Sequence, residues 1–137
     1  MVFIYHLLIA DNDDSLRESL QAALEIQGYW VSAVGSGEEA ISVVRTQFIH
    51  CAILDYRMGD MTGLEVFRQL RAIQAAPASI LISAELERSL EHQALQAGIA
   101  GCLKKPIYPD VLRNAVAGLL RMGPGPVPKP PASDPLR

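Results

Sequence analysis

Apolar and polar positions alternate in blocks along this chain. Five short apolar runs, rich in strand-forming residues, cover 3–10, 29–34, 51–55, 79–83 and 100–104. Each is followed by a stretch whose apolar residues recur at helical spacing. Leu16, Leu20, Ala23 and Leu24 share a face of the first stretch, and Leu64, Phe67 and Leu70 a face of the third. Leu86, Leu90 and Ala94 mark the fourth; Val111, Leu112, Ala115, Val116 and Leu119 mark the fifth. The second opens with Ser36-Gly-Glu-Glu39. That is a capping box, in which the serine oxygen accepts a backbone N–H and Glu39 reaches back. Gly28, Gly98 and Gly123 stand just past helical patterns, where a left-handed residue is wanted.

Five strand–helix units in series predict an α/β fold with a parallel sheet covered by helices on both faces. Leu7-Leu-Ile-Ala10, Ala52-Ile-Leu54 and Ile80-Leu-Ile82 are apolar without alternation, as strands buried on both sides are. The mixed run 29–34 belongs at an edge. Right-handed crossovers then favour a doubly wound five-stranded sheet of order 2-1-3-4-5. A chain of 137 residues suits one domain. Residues 123–137 hold six of the nine prolines. Proline lacks an N–H and fixes φ, so this segment is expected to form neither helix nor central strand. The expected division is a folded domain over 1–122 and a disordered tail or linker over 123–137.

Composition narrows the function. The chain carries 12 basic and 15 acidic residues, a net −3. The tail holds Lys129, Arg137 and Asp134, which leaves ten basic and fourteen acidic residues in the folded part. Nucleic-acid binding by this chain alone, which needs a basic patch, is not expected. Cys51 and Cys102 are too few for a disulfide framework or a metal cage and read as buried thiols. The apolar start stops at Asp11, about half of the roughly 20 residues a membrane span needs, and lacks the basic opening of a signal peptide. A cytoplasmic protein without membrane contact is the expectation. His6, His50 and His92 fall on different elements, and Trp30 reads as packing.

In such a sheet, ligands bind beyond the carboxyl ends of the strands, where strand order reverses. The first strand ends in Asp11-Asn12-Asp13-Asp14, the third in Asp55, the fourth in Ser83 and the fifth in Lys104-Lys105-Pro106. Carboxylates gathered at one rim repel unless a cation intervenes. Mg²⁺ fits, since it takes a few carboxylate or carbonyl oxygens and keeps water and phosphate. A carboxylate can accept a phosphoryl group, and that transfer asks mainly for positioning and charge neutralisation. Lys105 offers a second cation and Ser83 a hydroxyl donor.

Four segments resemble the signatures of bacterial response-regulator receiver domains, chemotaxis-regulator-like modules of two-component signalling. They are Leu7-Leu-Ile-Ala-Asp-Asn-Asp13, Ala52-Ile-Leu-Asp-Tyr-Arg-Met-Gly-Asp-Met-Thr-Gly-Leu-Glu65, Ile80-Leu-Ile-Ser-Ala84 and Gly101-Cys-Leu-Lys-Lys-Pro106. The resemblance implies a flavodoxin-like (βα)5 fold and a signalling domain rather than an enzyme. It implies Asp55 as phosphoacceptor, and Mg²⁺ (or Mn²⁺) held by Asp11, Asp55 and the Arg57 carbonyl. Ser83 and Lys105 would contact the phosphate, with small Ala84 leaving it room. Arg57 and Glu85 would flank the mouth and, paired across it, lengthen phosphate lifetime. The Lys105–Pro106 bond would be cis.

Three positions depart from the pattern. Asn12 replaces an acid that often binds the metal; its amide oxygen can still be a ligand but brings no charge, which predicts weaker affinity unless Asp13 compensates. Cys102 stands where many receivers carry a switch aromatic. Gly59 replaces a proline, which predicts a looser loop. The implied partners are a sensor histidine kinase or phosphotransfer protein, and then a downstream target, a homodimer mate or a C-terminal output domain. The signal would leave through the side formed by the fourth helix and the fifth strand and helix. Two alternatives are a pseudo-receiver that is never phosphorylated and a haloacid-dehalogenase-type phosphatase with Asp11 as nucleophile.

Overall fold

A computed structural model describes residues 1–130 of the chain. The elements run β1 (Phe3–Ile4), β2 (His6–Ala10), α1 (Asp14–Glu25), β3 (Trp30–Val34), α2 (Gly37–Thr46), β4 (Cys51–Asp55) and α3 (Gly63–Ala72). β5 (Ala78–Ser83), α4 (Arg88–Ala97), β6 (Gly101–Lys104), α5 (Pro109–Met122) and β7 (Val127–Pro128) follow. The main sheet has the order β3-β2-β4-β5-β6, all neighbours parallel. Counted within that sheet, this is the expected 2-1-3-4-5, with the mixed strand at an edge.

The pleat sends successive side chains to opposite faces, and each face has its own core. Leu7, Ile9, Cys51, Ile53, Ile80 and Ile82 meet Leu20 and Leu24 of α1 and Leu112, Val116 and Leu120 of α5. Leu8, Ala10, Ala52, Leu54 and Leu81 meet α2, α3 and α4 through Ala40, Leu64, Phe67, Leu70, Leu90 and Ala94. Burying each leucine or isoleucine is worth about 1.5–3 kcal/mol. Uninterrupted apolar strands therefore have to lie between two helical layers. Of the apolar positions named on the expected helices, Val111 is the one that stays exposed, at 48%.

The helix ends follow their sequence signals closely. Ser36 Oγ accepts from the Glu39 N–H at 3.2 Å, while Glu39 reaches back one residue further than a strict capping box, to the Gly35 N–H. Gly28 and Gly98 take the expected left-handed φ of 91° and 112°. Gly123 does not: its φ is −111° and ψ −165°, as the chain leaves α5 extended and returns to pair with Phe3–Ile4.

That path corrects two expectations. The apolar run 3–10 is not one strand, since β1 breaks from β2 at Tyr5 and pairs antiparallel with β7. Part of the proline-rich segment is thus a docked arm. Lys129 N–H donates to the Val2 carbonyl at 2.7 Å, and His50 Nε2 lies 2.8 Å from the Gly125 carbonyl. The pairing respects proline chemistry, because Pro128 has no N–H and sits in an edge strand. Residues 131–137 of that segment lie outside the described residues. No helix among the described residues is long and apolar enough to cross a membrane.

Candidate functional site

Three strands end together and bring three charges with them. β2 delivers Asp11, β4 delivers Asp55, and the turn after β6 delivers Lys105. The Lys105 Nζ stands 3.3 Å from Asp11 Oδ2 and 3.2 Å from Asp55 Oδ1. Asp11 is fully buried and Asp55 is 4% exposed. Asp11 Oδ1 accepts the Asp13 N–H at 2.9 Å. Its Oδ2 lies within ion-pair distance of Lys105 yet accepts no aligned hydrogen bond.

Two buried carboxylates share one ammonium, and the charge imbalance appears in their titration. Burial pushes the Asp55 carboxyl up to about 6, the charge of Asp11 adds to the rise, and Lys105 opposes it. Burial alone would lower the Lys105 ammonium, but Asp11 and Asp55 outweigh it and hold it above its usual range. Two buried carboxylates on one ammonium, one of their oxygens accepting no hydrogen bond, make a hard-oxygen site with negative charge to spare. That donor set fits Mg²⁺ and not a softer metal. Among the described residues no group of three or more His, Cys, Asp or Glu gathers that could hold a metal by itself. Any cation here would need carbonyl oxygens and water as well, as Mg²⁺ accepts.

The remaining expected residues surround this cluster unevenly. Ser83 ends β5, and its Oγ accepts the Glu85 N–H at 3.2 Å, which leaves the hydroxyl hydrogen to donate. Ala84 is exposed beside it. Asn12 is exposed, and Asp13 is engaged elsewhere, its Oδ1 accepting the Leu16 N–H as the cap of α1. Lys105–Pro106 is cis. Cys102 is half-buried on β6, opposite Leu81 in the register. Arg57 and Glu85 line one small cleft of about 190 Å³ with Tyr56 and Glu87, but they form no ion pair among the described residues. The Arg57 guanidinium lies instead over the Tyr56 ring, 5.6 Å from its centre. The expected pairing across the mouth is therefore not made.

The loop after Asp55 also differs from expectation. Gly59 has φ +89°, which proline cannot adopt. The loop is nonetheless held at both ends. Gly63 N–H donates to the Tyr56 carbonyl at 2.9 Å, and Arg57 bridges Thr62. At its tip Asp60 accepts the Gly37 and Glu38 N–H groups, both at 3.0 Å.

Sequence reasoning also missed a histidine pair at the opposite end of the sheet. The His6 backbone N–H donates to His50 Nδ1 at 3.0 Å, so His50 carries its proton on Nε2, facing Gly125. His6 stacks on Trp30 with ring centres 3.7 Å apart and bonds Ser32 and the Phe48 carbonyl. Nothing in the sequence placed these histidines together, because 44 residues separate them. A cleft of about 440 Å³ opens at this same end, away from the charged cluster, between Phe48, His50, Pro77, Leu120 and Pro124.

Comparison with known proteins agrees with this fold. Residues 7–117 match the model of the response regulator receiver domain family. The alginate biosynthesis transcriptional regulatory protein AlgB of Pseudomonas syringae pv. tomato is 30% identical over 116 residues, 85% of this chain and 26% of that protein. The response regulator MprA of Mycolicibacterium vanbaalenii is 32% identical over 115 residues, 84% of this chain and 50% of that protein. This chain thus spans about a quarter to a half of the length of these relatives. The chemotaxis protein CheY4 of Vibrio cholerae superposes with a TM-score of 0.81 at 24% identity, over 85% of this chain and 99% of that one, a likeness of fold alone. The chain belongs to the response regulator receiver domain family.

Proposed function

We propose that this domain accepts a phosphoryl group on Asp55 from a phosphohistidine of a sensor kinase or phosphotransfer protein, with Mg²⁺ bound. The observation that carries this reading is the buried cluster of Asp11, Asp55 and Lys105, two carboxylates on one ammonium with an Asp11 oxygen that accepts no hydrogen bond. Asp11, Asp55 and the Arg57 carbonyl would hold the cation, with the Asn12 amide as a neutral fourth donor. Bound there, Mg²⁺ neutralises carboxylate and phosphoryl oxygens.

The chain's own groups do the rest. An ionised Asp55 oxygen forms the new P–O bond. The P–N bond to the donor imidazole breaks, and its electron pair returns to the ring. Burial leaves Asp55 poorly solvated and aimed at the rim, so little reorganisation precedes attack. Lys105 then offsets the charge of the phosphoryl oxygens, about two units at neutral pH. Ser83 donates its free hydroxyl hydrogen to one of them. Asn12 adds no charge, so metal affinity should be weaker than with a second acid there.

The change then spreads along β5 and β6. Lys105 N–H donates to the Ser83 carbonyl at 2.8 Å, so neither residue moves alone. The surface of α4, β6 and α5 is the proposed readout, presented to a downstream protein, a second copy or an output domain. Neither the family match nor the relatives support a phosphatase with Asp11 as nucleophile.

Incubation with acetyl phosphate and Mg²⁺, read by intact mass, tests the reading. One phosphoryl group should be gained, and Asp55→Ala or chelation of the metal should abolish the gain. A gain that survives Asp55→Ala would refute the assignment. So would no gain at any metal concentration, even from a phosphorylated kinase.

A further inference from the structure

The loop that carries the Arg57 carbonyl is fastened to a different helix by one carboxylate. Asp60 Oδ1 accepts the Gly37 N–H and Oδ2 accepts the Glu38 N–H, each at 3.0 Å, across 23 and 22 residues of sequence. Oδ1 also accepts the Met61 N–H at 3.0 Å, which fixes the carboxylate on its own backbone. These backbone donors hold the Asp60 carboxyl below its usual range. A helix begins with unsatisfied N–H groups and a partial positive charge. In α2, Ser36 Oγ satisfies Glu39, and Asp60 satisfies the other two.

The close approach needs glycine at position 37. A Cβ there would lie 2.3 Å from Met61 Cγ and 2.9 Å from Val66 Cγ2. Helix α2 and the loop are therefore built to touch. The loop has a particular need of this contact. Gly59, at φ +89°, supplies the least restricted residue at its tip. With its base closed by the Arg57–Thr62 bridge, Asp60 is what fixes the tip.

We infer that Asp60 is a positioning residue for the cation site. Seated on the first turn of α2, it fixes the loop so that the Arg57 carbonyl stands where a divalent cation can use it. The inference rests on the proposed function. It also gives α2 a stake in the site, because a shift of its first turn moves the loop.

The test compares wild type with Asp60→Ala, Asp60→Asn and Ser36→Ala by calorimetric titration with Mg²⁺ alone at fixed ionic strength, each variant first shown to be folded by circular dichroism. Ser36→Ala removes the cap of the same helix but leaves the loop fastening intact. Losing a group that orients a metal ligand costs about 10-fold or more in affinity. Asp60→Ala should weaken Mg²⁺ binding by about that factor. Asp60→Asn, whose amide oxygen keeps one acceptor, should restore part of it. Ser36→Ala should lower the melting temperature and leave Mg²⁺ affinity within about twofold. Unchanged affinity in Asp60→Ala, or an equal loss in Ser36→Ala, would overturn this inference alone. No Mg²⁺ binding by wild type would overturn it together with the reading of the site.

Discussion

Removing one negative charge from the rim should stabilise the metal-free domain, and only at high pH. Asp55→Asn keeps the shape of the side chain and deletes its charge. In the folded state the Asp55 carboxyl titrates at about 6, against an ordinary 3.8. A pH unit is worth about 1.4 kcal/mol, so ionising Asp55 costs the fold about 3 kcal/mol. The sign follows from proton counts. Between pH 3.8 and about 6 the folded state binds more protons than the unfolded chain, so stability falls as pH rises through that window. Below it both states are protonated and the cost vanishes. Urea denaturation in chelator should show Asp55→Asn more stable than wild type by about 3 kcal/mol at pH 8, with the gap closing toward zero near pH 4. His6 lies at the opposite end of the sheet, so its contribution is the same in both proteins and cancels in the difference. Saturating Mg²⁺ should narrow the gap at pH 8, because a ligand that binds only the folded state stabilises it. A gap independent of pH, or a less stable variant at pH 8, would refute this account of the cluster.

Lys105→Met should remove about 3 kcal/mol at pH 8 by leaving two buried carboxylates without their cation, much less at pH 4, with Mg²⁺ restoring part; equal losses at both pH values would count against it. Gly63→Ala would place a Cβ 2.4 Å from the Asp55 carbonyl oxygen. It should cost about 1–3 kcal/mol and slow phosphoryl acceptance, measured by thermal melting and mass gain. Gly101→Ala, with nothing within 4 Å, is the matched control and should be neutral or slightly stabilising. His50→Phe deletes the contact to Gly125, so the Lys129 amide should exchange faster while amides of β4 keep their protection. Burial lowers the His6 pKa, a shift the Phe48 carbonyl opposes and His50 reinforces. The stability this neutral ring brings is present above pH 6.5 and lost as pH falls below it, so Asp55→Asn should show a stability maximum nearer neutral pH than wild type.

What could be read from the sequence was whatever one segment decides by itself. Strands such as Ala52-Ile-Leu54 announce burial on both faces, and crossover handedness then orders them. The rim residues were legible for the same reason, since a parallel sheet puts every carboxyl end on one side. What escaped were contacts between distant segments that no periodicity records. Val127–Pro128 forms a strand only because Phe3–Ile4 offers an edge. His6 and His50 carry no mutual signal until β2 and β4 lie side by side. Nothing marked Asp60, because its partners are backbone N–H groups, which every residue but proline has. Arg57 and Glu85 were expected to meet because they flank one opening, but the Tyr56 ring holds the guanidinium instead.

The absence of an aromatic at Cys102 leaves the question of which element can move, and helix ends give an answer. α2 begins with two independent acceptors, Ser36 and Asp60. α1 and α3 begin with Asp13 and Thr62, each making its cap bond. α4 begins at Glu87 with no side-chain cap bond, and it buries only Leu90 and Ala94. A missing cap is worth about 1 kcal/mol, enough to let a first turn fray. α4 also follows directly on Ser83 and Glu85, whose mutual hydrogen bond would have to loosen if Ser83 turned toward a phosphate. α5 also lacks a side-chain cap bond, but Pro109 opens it, so the uncapped start of α4 is the one that stands next to the residue that would move first. Hydrogen exchange should find the amides of Arg88, Ser89 and Leu90 less protected than those of Gly37, Glu38 and Glu39. Phosphorylation should change the first group more than the second. Glu87→Ser, which supplies the missing cap, should slow exchange in α4 and reduce that change. If the α4 amides were as protected as those of α2 and did not respond, the signal would have to leave by another face.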